Sequence, residues 1–289
     1  MRGAHHPQPL SASPASVDEA QARGMVAAVY ADIRATLGVS MVNLVWRHLA
    51  TEPALLAWAW TSVRPLYADG HLERAAATLG ASLRLPPVRP LATAALATAG
   101  VDRHAQATIA ALLSAYERAN GCNLLALETL RRGHRHAPGA GAPLPGVAPA
   151  HAGQLQVAPI PALVVREMPA ALATMVHRLN GFGAAGEPRL CATVYRQLAH
   201  WPGLIALLVA TLDPLATAGA LQRLSAGTAA AAQRLAEPLR PRLAALGAPP
   251  QPALFESACA LFIDDGLRRM IGMVAILRRL LPAARIPAR

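Results

Sequence analysis

The sequence contains no lysine, so all 27 of its strong bases are arginine. It has only three cysteines in 289 residues, 4% aromatic residues and 16 acids. Each shortage excludes something. Three cysteines, Cys122, Cys191 and Cys259, far apart and without a CxxC pair, exclude a disulfide scaffold and a redox dithiol. They read as buried free thiols in a reducing cytoplasm. Scarce aromatics leave no base-stacking platform, and the arginines are scattered. The densest basic run is only Arg131, Arg132, His134, Arg135 and His136. The formal charge of +11 therefore reads as compositional, or as an attraction for small anions, and nucleic acid is not an expected partner. No apolar run approaches the roughly 20 residues of a spanning helix: Gly203 to Leu212 is stopped by Asp213-Pro214. Residues 1–16 lack an apolar core of signal-peptide length and read as a disordered lead-in. The expected location is cytoplasmic, with no membrane contact.

What is abundant is alanine and leucine, within a hydrophobic fraction of 54%. These are the best helix formers, so the expected fold class is all-α. Ser16-Val17-Asp18-Glu19 reads as a cap opening a helix to Leu37, with Met25, Val29, Ile33 and Leu37 on one face. Further helices are expected over about 41–50, 51–67 and 70–83, then over 102–118 and 123–132. Residues 136–162, rich in Ala, Pro and Gly, read as a linker. Helical patterns resume near Ala162, with breaks at Gly181–Gly186, Pro202, Gly219, Pro238 and Pro241, and 248–252.

The two halves resemble each other. Trp46-Arg47-His48-Leu49-Ala50 followed by Pro53 and Leu55 aligns with Tyr195-Arg196-Gln197-Leu198-Ala199 followed by Pro202 and Leu204, and Pro65-Leu66 aligns with Pro214-Leu215 at the same offset. This suggests a helical unit at 17–135, the linker, and a second unit at 163–289. Two such units would form a pseudo-dimer, packed as a homodimer is, with a pocket in the cleft between them. Whether the whole chain forms a homodimer in addition stays open.

No metal or cofactor motif is present: no HExxH, no Glu-x-x-His pair, no Gly-rich phosphate loop and no GxSxG. No cofactor is expected. Asp264 and Asp265, four residues before Arg268 and Arg269, read as i,i+4 ion pairs on a solvated edge. Glu117, beside Tyr116 and before Asn120-Gly121, is an acid whose role the pattern leaves ambiguous.

Tyr30-Ala31-Asp32-Ile33-Arg34-Ala35-Thr36-Leu37, followed by Val39, Arg47, Leu49-Ala50-Thr51 and Pro53, resembles the opening of the group I 2-haloacid dehalogenases. Leu198-Ala199-His200-Trp201-Pro202 resembles their second half, and the likeness in order runs over about residues 25–280. The resemblance implies an all-α fold of two repeats and hydrolysis of both D- and L-2-haloacids. In the family, an aspartate activates water for direct displacement of halide and an asparagine helps hold that water. The asparagine falls on Asn120. The aspartate falls on Val194, seven residues before Trp201, and valine cannot accept a proton. A family serine falls on Thr193, pocket aromatics fall on Met41 and Leu44, and a pocket tyrosine falls on Asn123. The expected ligand is a small carboxylic acid. Three readings stay open: a diverged hydrolase with another base, for which Glu117 is the candidate and Asp265 could approach the same cleft; an inactive small-acid-binding or helical interaction module; and an active dehalogenase with rearranged geometry.

Overall fold

Proline and glycine set the helix ends, and they set them alike in both halves. The computed structural model describes residues 14–39, 41–135, 160–244 and 247–281. Among the described residues there are twelve α-helices and no strand. The first half holds α1 (Gly24–Leu37), α2 (Leu44–Leu49), α3 (Pro53–Ala68), α4 (His71–Ser82), α5 (Thr93–Thr98) and α6 (Arg103–Arg135). The second holds α7 (Ala170–Gly181), α8 (Thr193–Leu198), α9 (Pro202–Thr217), α10 (Ala220–Ala236), α11 (Pro252–Cys259) and α12 (Arg268–Leu280). A π-helical stretch, Ala260–Leu267, joins α11 to α12. Pro53 and Pro202 open α3 and α9, where a missing N–H costs nothing. Pro65 and Pro214 stand three residues before the ends of the same two helices. Gly70 and Gly219 then turn the chain at φ 71° and 70°, a left-handed conformation that suits glycine. The helices α2, α3, α4 and α6 begin 149 positions before α8, α9, α10 and α11.

Three local expectations are revised. The helix expected from residue 17 begins at Gly24, because Asp18 and Glu19 are used elsewhere: Asp18 pairs with Arg47, and Glu19 pairs with Arg34 and accepts from the Val42 amide at 2.7 Å. The buried face of α1 is Val26, Tyr30 and Ile33, while Met25 is exposed. Asn120-Gly121 does not break the chain, and α6 runs unbroken for 33 residues, about 50 Å. Glycine is tolerated there because α4 crosses it closely: a Cβ on Gly121 would stand 2.9 Å from that of Ala76. The short α5 was not expected. The expected lead-in to residue 13 and the linker over 136–159 lie outside the described residues.

Two apolar cores form, and both long helices pass through both. One core gathers α1–α4 residues such as Tyr30, Trp46, Leu56 and Trp60 around Leu124, Leu127 and Leu130 from the second half of α6, with Phe255 and Ile263 from the α11 side. The other gathers Val176, Tyr195, Ile205 and Leu212 around Ile109, Leu112 and Leu113 from the first half of α6, with Val274 and Leu277 of α12. Among the described residues no single helix is long and apolar enough to cross a membrane.

The packing of α9 gives a direct test of this geometry. A Cβ on Gly203 would lie 2.5 Å from the carbonyl oxygen of Ala99 and 2.7 Å from its Cα. Backbone cannot rotate out of the way, so Gly203→Ala is expected to cost about 1–3 kcal/mol, the usual penalty of overpacking. Urea denaturation checks it, through a lower midpoint at an unchanged slope.

Candidate functional site

Where α6 and the α11–α12 helix change from one core to the other, they leave a cavity of about 590 Å³. Its wall is built from matched parts of the two halves. The loop 41–43 and the start of α2 face the loop 190–192 and the start of α8, while the middle of α6 faces the π-helical stretch. Asn43 caps α2 through Oδ1, which accepts from the Val45 amide at 3.1 Å. Asn180 holds the second loop: its Nδ2 donates to Leu190 O and its Oδ1 accepts from Ala192 N, both at 3.0 Å. Arg269, only 3% exposed, donates to the carbonyl of Asn180 and faces Asp265 at 3.8 Å. It is a buried cation and not part of a solvated edge, which corrects half of the expected i,i+4 pattern. The Arg268–Asp264 pair forms as expected, at 2.8 Å.

The cavity brings together Asn120, Thr193, Val194, Met41 and Leu44. These come from α6, α8 and the start of α2, up to 153 positions apart in the chain. Asn120 is 4% exposed and Val194 only 1%. Asn123 is placed one layer behind the wall. Its Oδ1 accepts from Trp46 Nε1 at 3.1 Å and from Tyr67 Oη at 2.8 Å, so it fixes Tyr67, which does line the cavity.

Glu117 is not brought to the cavity. Its side chain is 46% exposed and pairs with Arg278 of α12. Asp265 does not reach the wall either: its carboxylate accepts from the Arg189 amide at 2.7 Å. Glu187 is exposed in the loop after α7. Two other carboxylates line the cavity, and neither was read from the sequence. Asp18 lies on the segment before α1, 60% exposed and paired with Arg47. Glu73 lies in the first turn of α4, close enough to Cys122 for its charge to act on that thiol.

Arginines also converge unread: Arg47, Arg118 and Arg196 all line the space. Arg47 and Arg196 hold matching places in the two aligned segments. Each is crossed by an extended piece of chain. Val17 donates to the carbonyl of Arg47 at 2.9 Å and Leu163 to that of Arg196 at 3.2 Å, while Arg196 Nε donates back to Leu163 O at 2.8 Å. Tyr116 Oη donates to Gln197 Oε1 at 2.6 Å, and Gln197 Nε2 to Ile160 O at 2.7 Å, which joins α6, α8 and that second piece. Burial pushes the hydroxyls of Tyr116 and Tyr67 well above their usual range, so both stay neutral donors. Burial likewise pushes the Cys122 thiol up to about 12, so the cavity holds no thiolate nucleophile at neutral pH. Among the described residues no three His, Cys, Asp or Glu side chains are grouped to hold a metal ion.

The sequence matches no family model and no curated protein. Solved structures do match. One is a D-2-haloacid dehalogenase mutant in complex with D-2-CPA, at a TM-score of 0.71 and 19% identity, covering 94% of this chain and 96% of the other. A further D-2-haloacid dehalogenase mutant superposes with a TM-score of 0.72 and 20% identity, over 96% and 99% of the two chains. A D-2-haloacid dehalogenase complex with L-LA gives 0.60 and 20%, over 95% of each chain. This chain therefore has an all-α, 2-haloacid dehalogenase-like fold over nearly its whole length.

Proposed function

We propose that this protein binds small carboxylic acids in the dehalogenase-like cavity and lacks the general base of the group I 2-haloacid dehalogenase route. One observation carries the reading. At the position where the resemblance puts a catalytic aspartate stands Val194, 1% exposed and lining the same cavity as Thr193 and Asn120. Direct displacement needs a carboxylate that takes a proton from water as the carbon–halogen bond breaks. Val194 offers none. The binding part of the site is supported differently: three arginines against two acids line the space, and one of those acids is occupied by Arg47. An anion is thus favoured there, and an apolar body can rest on Met41, Leu44 and Leu190.

A second reading is supported by Glu73. It is a cavity carboxylate on a wall different from that of Val194, so hydrolytic displacement of halide with rearranged geometry, Glu73 serving as base in place of Glu117, is the alternative.

Two measurements separate these readings. Halide release from both enantiomers of 2-chloropropionate is expected to stay at the buffer rate, while 2-chloropropionate and propionate raise the melting temperature in a dose-dependent way. Stabilisation with no halide release supports the binding protein. Halide release that is lost in Glu73→Gln replaces it with the hydrolase. No stabilisation by any carboxylate overturns the pocket itself.

A further inference from the structure

The cavity is larger than a two- or three-carbon acid needs. 2-Chloropropionate has six non-hydrogen atoms. At about the 30 Å³ that a water molecule takes up in the liquid, six atoms fill roughly 180 Å³. That is under a third of the 590 Å³ present. Part of the wall that a small acid leaves uncovered is apolar. Phe262, Leu267 and Met270 project from the second long helix, Leu112 from α6 and Val42 from the first loop. Among the charged lining groups the arginines Arg47, Arg118 and Arg196 outnumber the acids Asp18 and Glu73, so a ligand with one anionic end and an apolar remainder suits the space. Met41, half exposed, and Leu44, partly buried, stand at the α1–α2 side with Arg47 close by in the chain.

We propose that the ligand is a monocarboxylic acid with an apolar tail, of about six to ten carbons, its carboxylate on the arginines and its tail along Leu112, Phe262 and Met270. This rests on the carboxylate reading above and goes beyond it, because it names a substrate class that a two- or three-carbon acid does not belong to. Each methylene moved from water into the cavity strengthens binding about fourfold. From propionate to octanoate the affinity therefore rises by two to three orders of magnitude, then levels off once the tail has covered Leu112, Phe262 and Met270.

The test is titration calorimetry of the full-length protein with unbranched carboxylates from propionate to dodecanoate, all below their micelle-forming concentrations. Octanoate is compared with octanamide and with the eight-carbon dicarboxylate. The expected result is a steep rise to about eight carbons, with octanoate tighter than both comparators. A second variant set checks the site: Leu112→Phe with Met270→Phe, which adds bulk along the path of the tail, lowers octanoate affinity at least tenfold and leaves that of propionate within threefold. If propionate binds and octanoate binds no better, the extended ligand is wrong while the small-acid pocket stands. Octanamide as tight as octanoate overturns anchoring by the arginines. A tighter dicarboxylate overturns the apolar far end. If no acid of any length binds, the pocket reading above fails as well.

Discussion

Val194→Asp is expected to give the protein halide release that it otherwise lacks. The substitution places a carboxylate in the first turn of α8, next to Thr193 and in the cavity that also holds Asn120. A positioned general base contributes about 10²–10⁴-fold, so release of chloride from 2-chloropropionate is expected to rise above the wild-type background by that range. The pH dependence follows from burial. Val194 is 1% exposed, and desolvation raises the pKa of a carboxyl group. The protonated acid cannot take a proton, so activity is absent at low pH and appears as pH rises through that raised pKa. The same desolvation destabilises the fold at neutral pH, because the unfolded chain ionises the aspartate more readily. The N-terminal end of α8 offsets part of this by favouring a negative charge. Circular dichroism therefore accompanies the assay. A folded variant that releases no halide at any pH would show that the site differs by more than one residue.

The second large effect concerns stability. Glu128 is 2% exposed on α6 and sits among three arginines: Arg131 at 2.5 Å, Arg132 at 3.2 Å and Arg268 at 3.6 Å. Asp264 of the π-helical stretch shares two of them, Arg131 at 3.1 Å and Arg268 at 2.8 Å. Glu128→Gln keeps the shape and removes the one fully buried negative charge from between the cations. Breaking a buried pair from one side costs about 3–5 kcal/mol, since the other charges stay desolvated. At a few degrees per kcal/mol for a chain of this size, the melting temperature is expected to fall by about 10 °C. A fall of under 2 °C would mean that water screens the cluster. Double substitution with Arg268→Met is expected to recover part of the loss, because it removes a cation that has lost its partner.

Much of the fold was legible. Alanine and leucine gave helix, Pro53, Pro202, Gly70 and Gly219 gave helix starts, and the aligned segments gave helices at matching positions. Met41, Leu44, Asn120, Thr193 and Val194 were read as one site, and they line one cavity. What stayed hidden depends on distant contacts. Asn120-Gly121 looks like a break until α4 is seen crossing it. Glu117 looked close to Asn120, being three residues away, but the cavity face of α6 is Leu112, Ala115, Tyr116, Arg118, Ala119, Asn120 and Cys122. At about 100° per residue, Glu117 points away from Ala115 and Ala119 and meets Arg278 instead. Asn180, which pins the 190–192 loop, carries no local signal at all. Neither do Arg118 and Glu73, which reach one cavity only through the packing of α4 on α6.

The exchange of the long helices between the cores decides how the protein must behave as a thermodynamic object. Neither half of the chain contains a complete core: the first supplies α6 residues to the second, and the second returns Phe255 and Ile263 to the first. A break between the halves would leave two fragments that each expose the surface the other was meant to cover. Unfolding is therefore expected to be a single transition, the two cores melting together, which coincident transitions by near- and far-ultraviolet circular dichroism check. The cavity lies at the crossing and is lined from both cores, so a ligand bound there stabilises the folded chain as a whole. Occupancy and integrity are one equilibrium in this molecule.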